Sequence, residues 1–174
     1  MSDPVTATSE CKAQVLVGLV GKGILASGSP WLHEQEGAAQ GLQLRYELFD
    51  FTARNLPDDA LGTVLKEAAQ DGFSGLNVTY PFKQAVIPLL DELDASASKV
   101  GAVNTVAFTP RGWIGSNTDM TGFAASFLSG LGDVDRASAL QVGCGGAGAA
   151  TAHAMLSLIG VGKLWLHDAD PQRA

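Results

Sequence analysis

Residues 139–150 read Ala-Leu-Gln-Val-Gly-Cys-Gly-Gly-Ala-Gly-Ala-Ala. Ala139 to Val142 suits a short buried strand, and Ala147 to Ile159 suits a helix. Between them Gly143, Gly145 and Gly148 match G-x-G-x-x-G, with Gly146 beside them, after a strand and at the opening of a helix. That context is what the dinucleotide-binding reading of the motif requires. Gly143 permits the tight turn, Gly145 keeps a side chain away from a pyrophosphate, and Gly148 lets helix and strand pack closely. The helix N-terminus offers free N–H groups and a positive dipole end to the phosphates. A second strand, Lys163 to His167, leads to Asp168, about 20 residues past the loop, where an acidic residue bonds the ribose hydroxyls of NAD. A carboxylate there repels a 2′-phosphate, and Ala169 follows rather than an arginine. The residues therefore favour NAD over NADP, with Asp170 a rival for the same role.

Upstream, strands and helices alternate. Val15 to Val20 reads as a buried strand, followed by a glycine-rich stretch from Gly21 to Gly28. Ser29-Pro30 suits an N-cap and first turn of a helix reaching about Gln40. Leu44 to Phe51 is a second strand. A helix begins at Pro57, and Leu61, Val64, Leu65 and Ala68 form its apolar stripe. Phe73 to Thr79 is a third strand. After the turn Tyr80-Pro81-Phe82-Lys83, helical stretches run to Leu90 and from Ala95 to Val100. Val103 to Phe108 and Trp113 to Gly115 flank a turn and form a hairpin. Asn117-Thr118-Asp119 opens a helix to about Leu131, and Gly132 to Ser138 is a polar connector. The pattern predicts an α/β fold with two domains. A mixed, mainly parallel sheet with helices on both faces precedes the start of a Rossmann unit. The expected division is 1–118 for the first domain, 119–138 for a connecting helix and linker, and 139–174 for an incomplete dinucleotide-binding unit. A piece that short cannot bury a stable core alone.

The chain has 174 residues, of which 46% are apolar and 17% charged, which excludes a disordered protein. Lys and Arg number 11 against 18 Asp and Glu, a net charge of −7. No broad electrostatic footprint for nucleic acid or anionic membrane is expected. Cys11 and Cys144 are far apart and lack metal-binding spacing, which suits a reduced, cytoplasmic protein. No metal is expected. The first stretch, MSDPVTATSECKAQ, has no apolar run and reads as a frayed tail. Residues 137–162 contain no charged side chain, but their glycine cluster suits a strand, loop and helix better than a membrane span. Trp31, Trp113 and Trp165 read as packing residues, and His33, His153 and His167 as incidental.

The front half places polar residues where packing alone would not. Ser27-Gly-Ser29-Pro30 precedes a helix. Gly75-Leu-Asn77-Val-Thr79-Tyr-Pro81-Phe-Lys83 ends an apolar strand. Gly101-Ala-Val-Asn104-Thr105 and Asn117-Thr118-Asp119 follow. With the glycine loop behind them, these strings resemble the shikimate dehydrogenase family from about Val17 onward. The segment His33-Glu-Gln-Glu-Gly37 and the ending His167-Asp168-Ala-Asp170 look most like its NAD-dependent quinate/shikimate branch.

The resemblance implies an oxidoreductase of aromatic amino acid biosynthesis that interconverts shikimate and 3-dehydroshikimate, with quinate a further candidate substrate. Ser27 and Ser29 would bind the substrate carboxylate, with Thr79 nearby. Asn77 lies in the same substrate-binding string. Asn104 and Asp119 would hold ring hydroxyls. Lys83 would be the general acid/base, paired with Asp119. Desolvation lowers a lysine pKa and a neighbouring carboxylate favours its charged form, so the two effects oppose. Family members continue well beyond Ala174, so the chain as it stands is expected to turn over slowly or not at all. Its partner would be a small molecule, and it would be a monomer or homodimer.

Each residue has an ordinary alternative. Lys83 suits a solvated surface, Asp119 and Ser29 suit helix caps, Asn104 a hairpin backbone, and Thr79 a strand. Two other functions stay open: a non-catalytic small-molecule binding module, and a dehydrogenase of another polyol acid.

Overall fold

The structure, a computed structural model, describes residues 14–172. The expected frayed tail and Cys11 lie outside the described residues, except that Gln14, read as the end of that tail, pairs with Gln43 and begins the first strand. The first body comprises β1 (Gln14–Gly21), α1 (Ser29–Ala39), β2 (Gln43–Asp50), α2 (Leu61–Gln70), β3 (Gly75–Val78), α3 (Phe82–Ala85), β4 (Glu92–Leu93), α4 (Ala95–Val100), β5 (Thr105–Thr109) and β6 (Gly112–Ser116). Helix α5 (Asp119–Gly130) leads out of it to β7 (Ala139–Val142), α6 (Gly146–Ala154) and β8 (Leu164–His167).

Six strands form one sheet in the order β2-β1-β3-β5-β6-β4. The β1–β2, β1–β3 and β4–β6 pairs are parallel, and the β5–β6 hairpin inserts the antiparallel pairs. The period-two alternation of β1 decides which helix covers which face. Leu16 and Val20 meet the large core with Leu61, Val64, Leu65 and Ala68 of α2. Val17 and Leu19 point the other way, to Leu44 and Tyr46. On that face α1 presses its backbone close: a Cβ at Gly37 would lie 2.6 Å from that of Leu44. Helices thus cover both faces, as the alternation predicts.

Strands β7 and β8 pair in parallel, Ala139 with Leu164 through Val142 with His167. This pair leaves Leu140 and Val142 exposed. The unit takes its core from its neighbours: Ala150 and Ala154 of α6 pack with Val100 of α4 and Met120 and Ala124 of α5. Small residues on α6 let the helices approach closely, which sets the glycine loop against the first sheet. Among the described residues no helix is long and apolar enough to cross a membrane.

Several local readings change. Gly28, not Ser29, caps α1, so Ser29 occupies the first helical position. Pro88 has no N–H for a continuing helix, so residues 82–90 break into α3 and a 3-10 turn over Ile87–Leu89. The last helix widens into a π turn over Met155–Ile159, and Gly160 at φ +81° stops it. Trp113 packs on Phe108, but Trp31 and Trp165 are mainly exposed, because α1 buries little besides Gly37 and β8 carries few covering residues.

Candidate active site

The C-terminal ends of β1 and β3 and the turn after β3 converge with the hairpin and the start of α5. There Lys83 Nζ lies 2.6 Å from Asp119 Oδ2. The side chains are 18% and 30% exposed, so neither is a free surface charge. The other Asp119 oxygen accepts from Asn104 Nδ2 at 2.8 Å. Asp119 is therefore no plain helix cap: its carboxylate turns away from the α5 backbone to Lys83 and Asn104. Its own N–H is held at 3.0 Å by Asn117 Oδ1, and Asn117 is buried with its amide nitrogen on the Ala102 carbonyl.

The network continues through the other residues expected from the sequence. Thr105 Oγ1 donates to Asn104 Oδ1 at 2.9 Å and accepts from Asn77 Nδ2 at 3.1 Å. Tyr46 donates its hydroxyl to Asn77 Oδ1 at 2.8 Å. Burial pushes the Tyr46 hydroxyl up to about 12, outweighing the lowering effect of the Ser29 side chain. Ser27 Oγ donates to Ser29 Oγ at 3.0 Å. Asn77, Asn104, Asp119 and Lys83 are thus four stations of one hydrogen-bonded network, while Ser27 and Ser29 pair with each other beside it. Sequence reasoning missed the two links: Tyr46 looks there like an ordinary strand residue, and Thr105 stands in the Asn104 string without a role of its own. His33 is not incidental: its ring stacks on Tyr46 with centroids 4.7 Å apart.

Lys83 and Thr79 also line a cleft of about 500 Å³ whose opposite wall is the glycine loop, Gly143, Gly145, Gly146 and Gly148. The loop fits a dinucleotide phosphate. Gly143 has φ +101°, a turn disfavouring side chains, and at Gly145 an added Cβ would meet nothing within 4 Å, leaving room for a ligand. A Cβ on Gly146 would lie 3.2 Å from that of Lys83, so the loop sits directly on the catalytic candidate. Buried Gln141 clamps the turn, its Nε2 donating to the Gly143 and Gly148 carbonyls at 2.8 and 2.9 Å. Asp168 Oδ2 accepts the Cys144 N–H at 2.7 Å, and its Oδ1 the Asp170 N–H. Asp170 is exposed and accepts from the Gln172 N–H in the following turn. Among the described residues no group of three His, Cys, Asp or Glu side chains gathers as a metal site.

Asp50, also unforeseen, fixes the loop that carries the serines. Its carboxylate accepts N–H bonds from Gly23, Ile24 and Leu25, and from Thr52 and Ala53 of its own turn. Burial alone would raise its pKa, but these backbone bonds prevail and hold the carboxyl below the ordinary value. A depressed folded pKa adds stability above the unfolded value, near 3.9, and loses it as pH falls through the folded one. Asp50→Asn is expected to lower the melting temperature at neutral pH and to flatten its decline in acid. Equal acid slopes for variant and wild type would refute this.

A family model described as the shikimate dehydrogenase substrate binding domain matches residues 19–106. A shikimate dehydrogenase (NADP(+)) of Streptomyces avermitilis is 50% identical over 159 residues, covering 91% of this chain and 54% of the relative. A quinate/shikimate dehydrogenase (NAD(+)) of Corynebacterium efficiens is 44% identical, covering 92% and 56%. The solved structure of quinate dehydrogenase from Corynebacterium glutamicum in complex with NAD superposes with a TM-score of 0.83 at 43% identity, over 92% of this chain and 57% of that one. The chain spans about half the length of the curated relatives it matches.

Proposed function

The chain belongs to the shikimate dehydrogenase family, and we propose that its network and cleft oxidise shikimate to 3-dehydroshikimate and run the reverse reduction. The observation that carries this is the Lys83–Asp119 pair set between a row of hydroxyl and amide side chains and a glycine cradle. In this reading the chain divides at 1–118, 119–138 and 139–174, and the first and last of these form the two walls of the cleft.

Ser27 and Ser29 bind the carboxylate of the ring acid through hydroxyls already paired with each other. Asn77, Thr79 and Asn104 meet its hydroxyls. Buried polar groups matched to a ligand reject analogues that lack the partner. Oxidation must take a proton from the reacting hydroxyl, and the neutral Lys83 amine accepts it. The ammonium so formed donates to Asp119, which Asn104 holds in place from its other oxygen. In the reduction the same ammonium returns the proton to the carbonyl oxygen. An ammonium at Lys83 held by Asp119 is the arrangement ready for that direction. A nicotinamide dinucleotide held by Gly143, Gly145, Gly146 and Gly148 supplies the redox partner.

NAD is the proposed form, supported by the Asp168 carboxylate at the end of β8, against the loop backbone, with Ala169 beside it. Of the two acids, Asp168 is better placed for the ribose than exposed Asp170. Quinate as a second substrate has the support of the relatives named for both acids.

The test is nicotinamide reduction, followed in the near ultraviolet, by the product of the complete gene with shikimate and with quinate, NAD and NADP in separate runs. Turnover of shikimate with NAD is the expected result. Turnover only with NADP would remove the role given to Asp168. Silence with both acids would leave a binding module or a dehydrogenase of another polyol acid.

A further inference from the structure

Asn77 is a half-buried amide with two chemically different ends, and its neighbours accept only one orientation. Toward Oδ1 stands the Tyr46 hydroxyl, which gives its single proton to Asn77 at 2.8 Å. Toward Nδ2 stand two acceptors, Thr105 Oγ1 at 3.1 Å and the Asn104 carbonyl at 3.4 Å. The Thr105 proton is already committed to Asn104 Oδ1. A flipped amide would therefore set its oxygen against an oxygen with no proton to give and against a carbonyl. It would also leave the Tyr46 proton without an acceptor. A buried polar group left unpaired in this way loses its full desolvation cost.

We infer that Tyr46 and Thr105 are positioning residues that lock the Asn77 amide in one orientation and so make Asn77 an acceptor toward the ligand. This rests on the reading of Asn77 as a substrate contact. With Nδ2 engaged by Thr105 and the Asn104 carbonyl, the spare capacity of the side chain is the second lone pair of Oδ1. That lone pair accepts from a ring hydroxyl and repels a carboxylate or carbonyl oxygen. Tyr46 is itself held rigid. It is 6% exposed, its ring stacks on His33, and its backbone N–H donates to Glu34 Oε1 at 3.0 Å. A fully satisfied side-chain network of this kind fixes orientation better than any single bond in it.

The test is a double-mutant cycle on shikimate binding, by calorimetric titration of the complete gene product. Tyr46→Phe keeps the ring and its stack and removes only the hydroxyl. It is expected to weaken binding about tenfold, the effect of one orienting hydrogen bond. If Tyr46 acts through Asn77, Asn77→Ala with Tyr46→Phe binds no worse than Asn77→Ala alone. A merely structural role would instead give additive losses. Thr105→Val releases the other end of the same amide and is expected to show the same non-additivity, so the inference stays testable if Tyr46→Phe does not fold. Wild-type affinity in Tyr46→Phe, or additive losses in the cycle, would overturn the inference and leave the proposed function intact. Absence of binding by the wild type would overturn both.

Discussion

Lys83→Met is expected to lower kcat for shikimate oxidation by on the order of 10²–10⁴-fold, the range that a positioned general acid/base supplies, with the Kd for shikimate changed only a few-fold. Methionine keeps most of the side chain's length and volume in the cleft, so the Gly146 backbone that packs on Lys83 retains its neighbour. What disappears is the amine proposed to take the alcohol proton. Asp119 keeps its bond from Asn104 and stays in place, which separates this variant from a collapse of the site. The kcat and Kd of the complete gene product decide the matter, one from turnover and one from calorimetric titration. A variant with near-normal kcat would remove Lys83 from the chemistry. A large loss of binding at unchanged kcat would make it a substrate anchor instead.

Gly148→Ala is expected to weaken NAD binding by at least about 100-fold, near 2.7 kcal/mol at 1.4 kcal/mol per decade, and to lower the melting temperature. A Cβ at that position would sit 2.2 Å from the Gly143 carbonyl oxygen and 3.1 Å from Gln141 Nε2. The first is backbone and cannot rotate aside. Gln141 pins that same carbonyl, and the Gly143 N–H bonds the His167 carbonyl at 2.7 Å. The turn must therefore open, at the cost typical of overpacking. Gly145→Ala is the contrasting case. Its Cβ would meet no protein atom within 4 Å, so the fold is expected to tolerate it while cofactor affinity falls. Titration with NAD, paired with thermal unfolding of both variants, distinguishes them. A Gly145→Ala variant that binds NAD as the wild type does would show that no phosphate approaches that backbone.

The elements that the sequence placed most closely are those whose signal is local. Ala139–Val142 and Ala95–Val100 fall at the expected residues, and all four residues of the Leu61, Val64, Leu65, Ala68 stripe are buried. Strand β4 could not be foreseen, because Glu92 and Leu93 become a strand only by lying parallel to Ile114 and Gly115. Ser29 looked like a cap because serine before proline suits that position, yet Gly28 takes it and the Ser29 hydroxyl accepts from Ser27 instead. The resemblance to a family brought Lys83, Asp119 and the substrate residues to notice. Alone, each looked like a surface lysine, a cap or a strand former.

The α/β alternation, the glycine loop with the acid that follows its second strand, and the candidate polar side chains are legible along the chain itself. Periodicity and turn chemistry act over a few residues, and the chain carries them in plain order. Folding alone joins Tyr46, Asn77, Thr105, Asn104, Asp119 and Lys83 in one hydrogen-bonded network and turns the cradle toward Lys83. Tyr46, Thr105, Asp50 and Gln141 acquire their roles in the folded chain as well. A hydrogen bond depends on distance and angle across strands that are dozens of residues apart, and no local pattern in the chain records which hydroxyl will meet which amide.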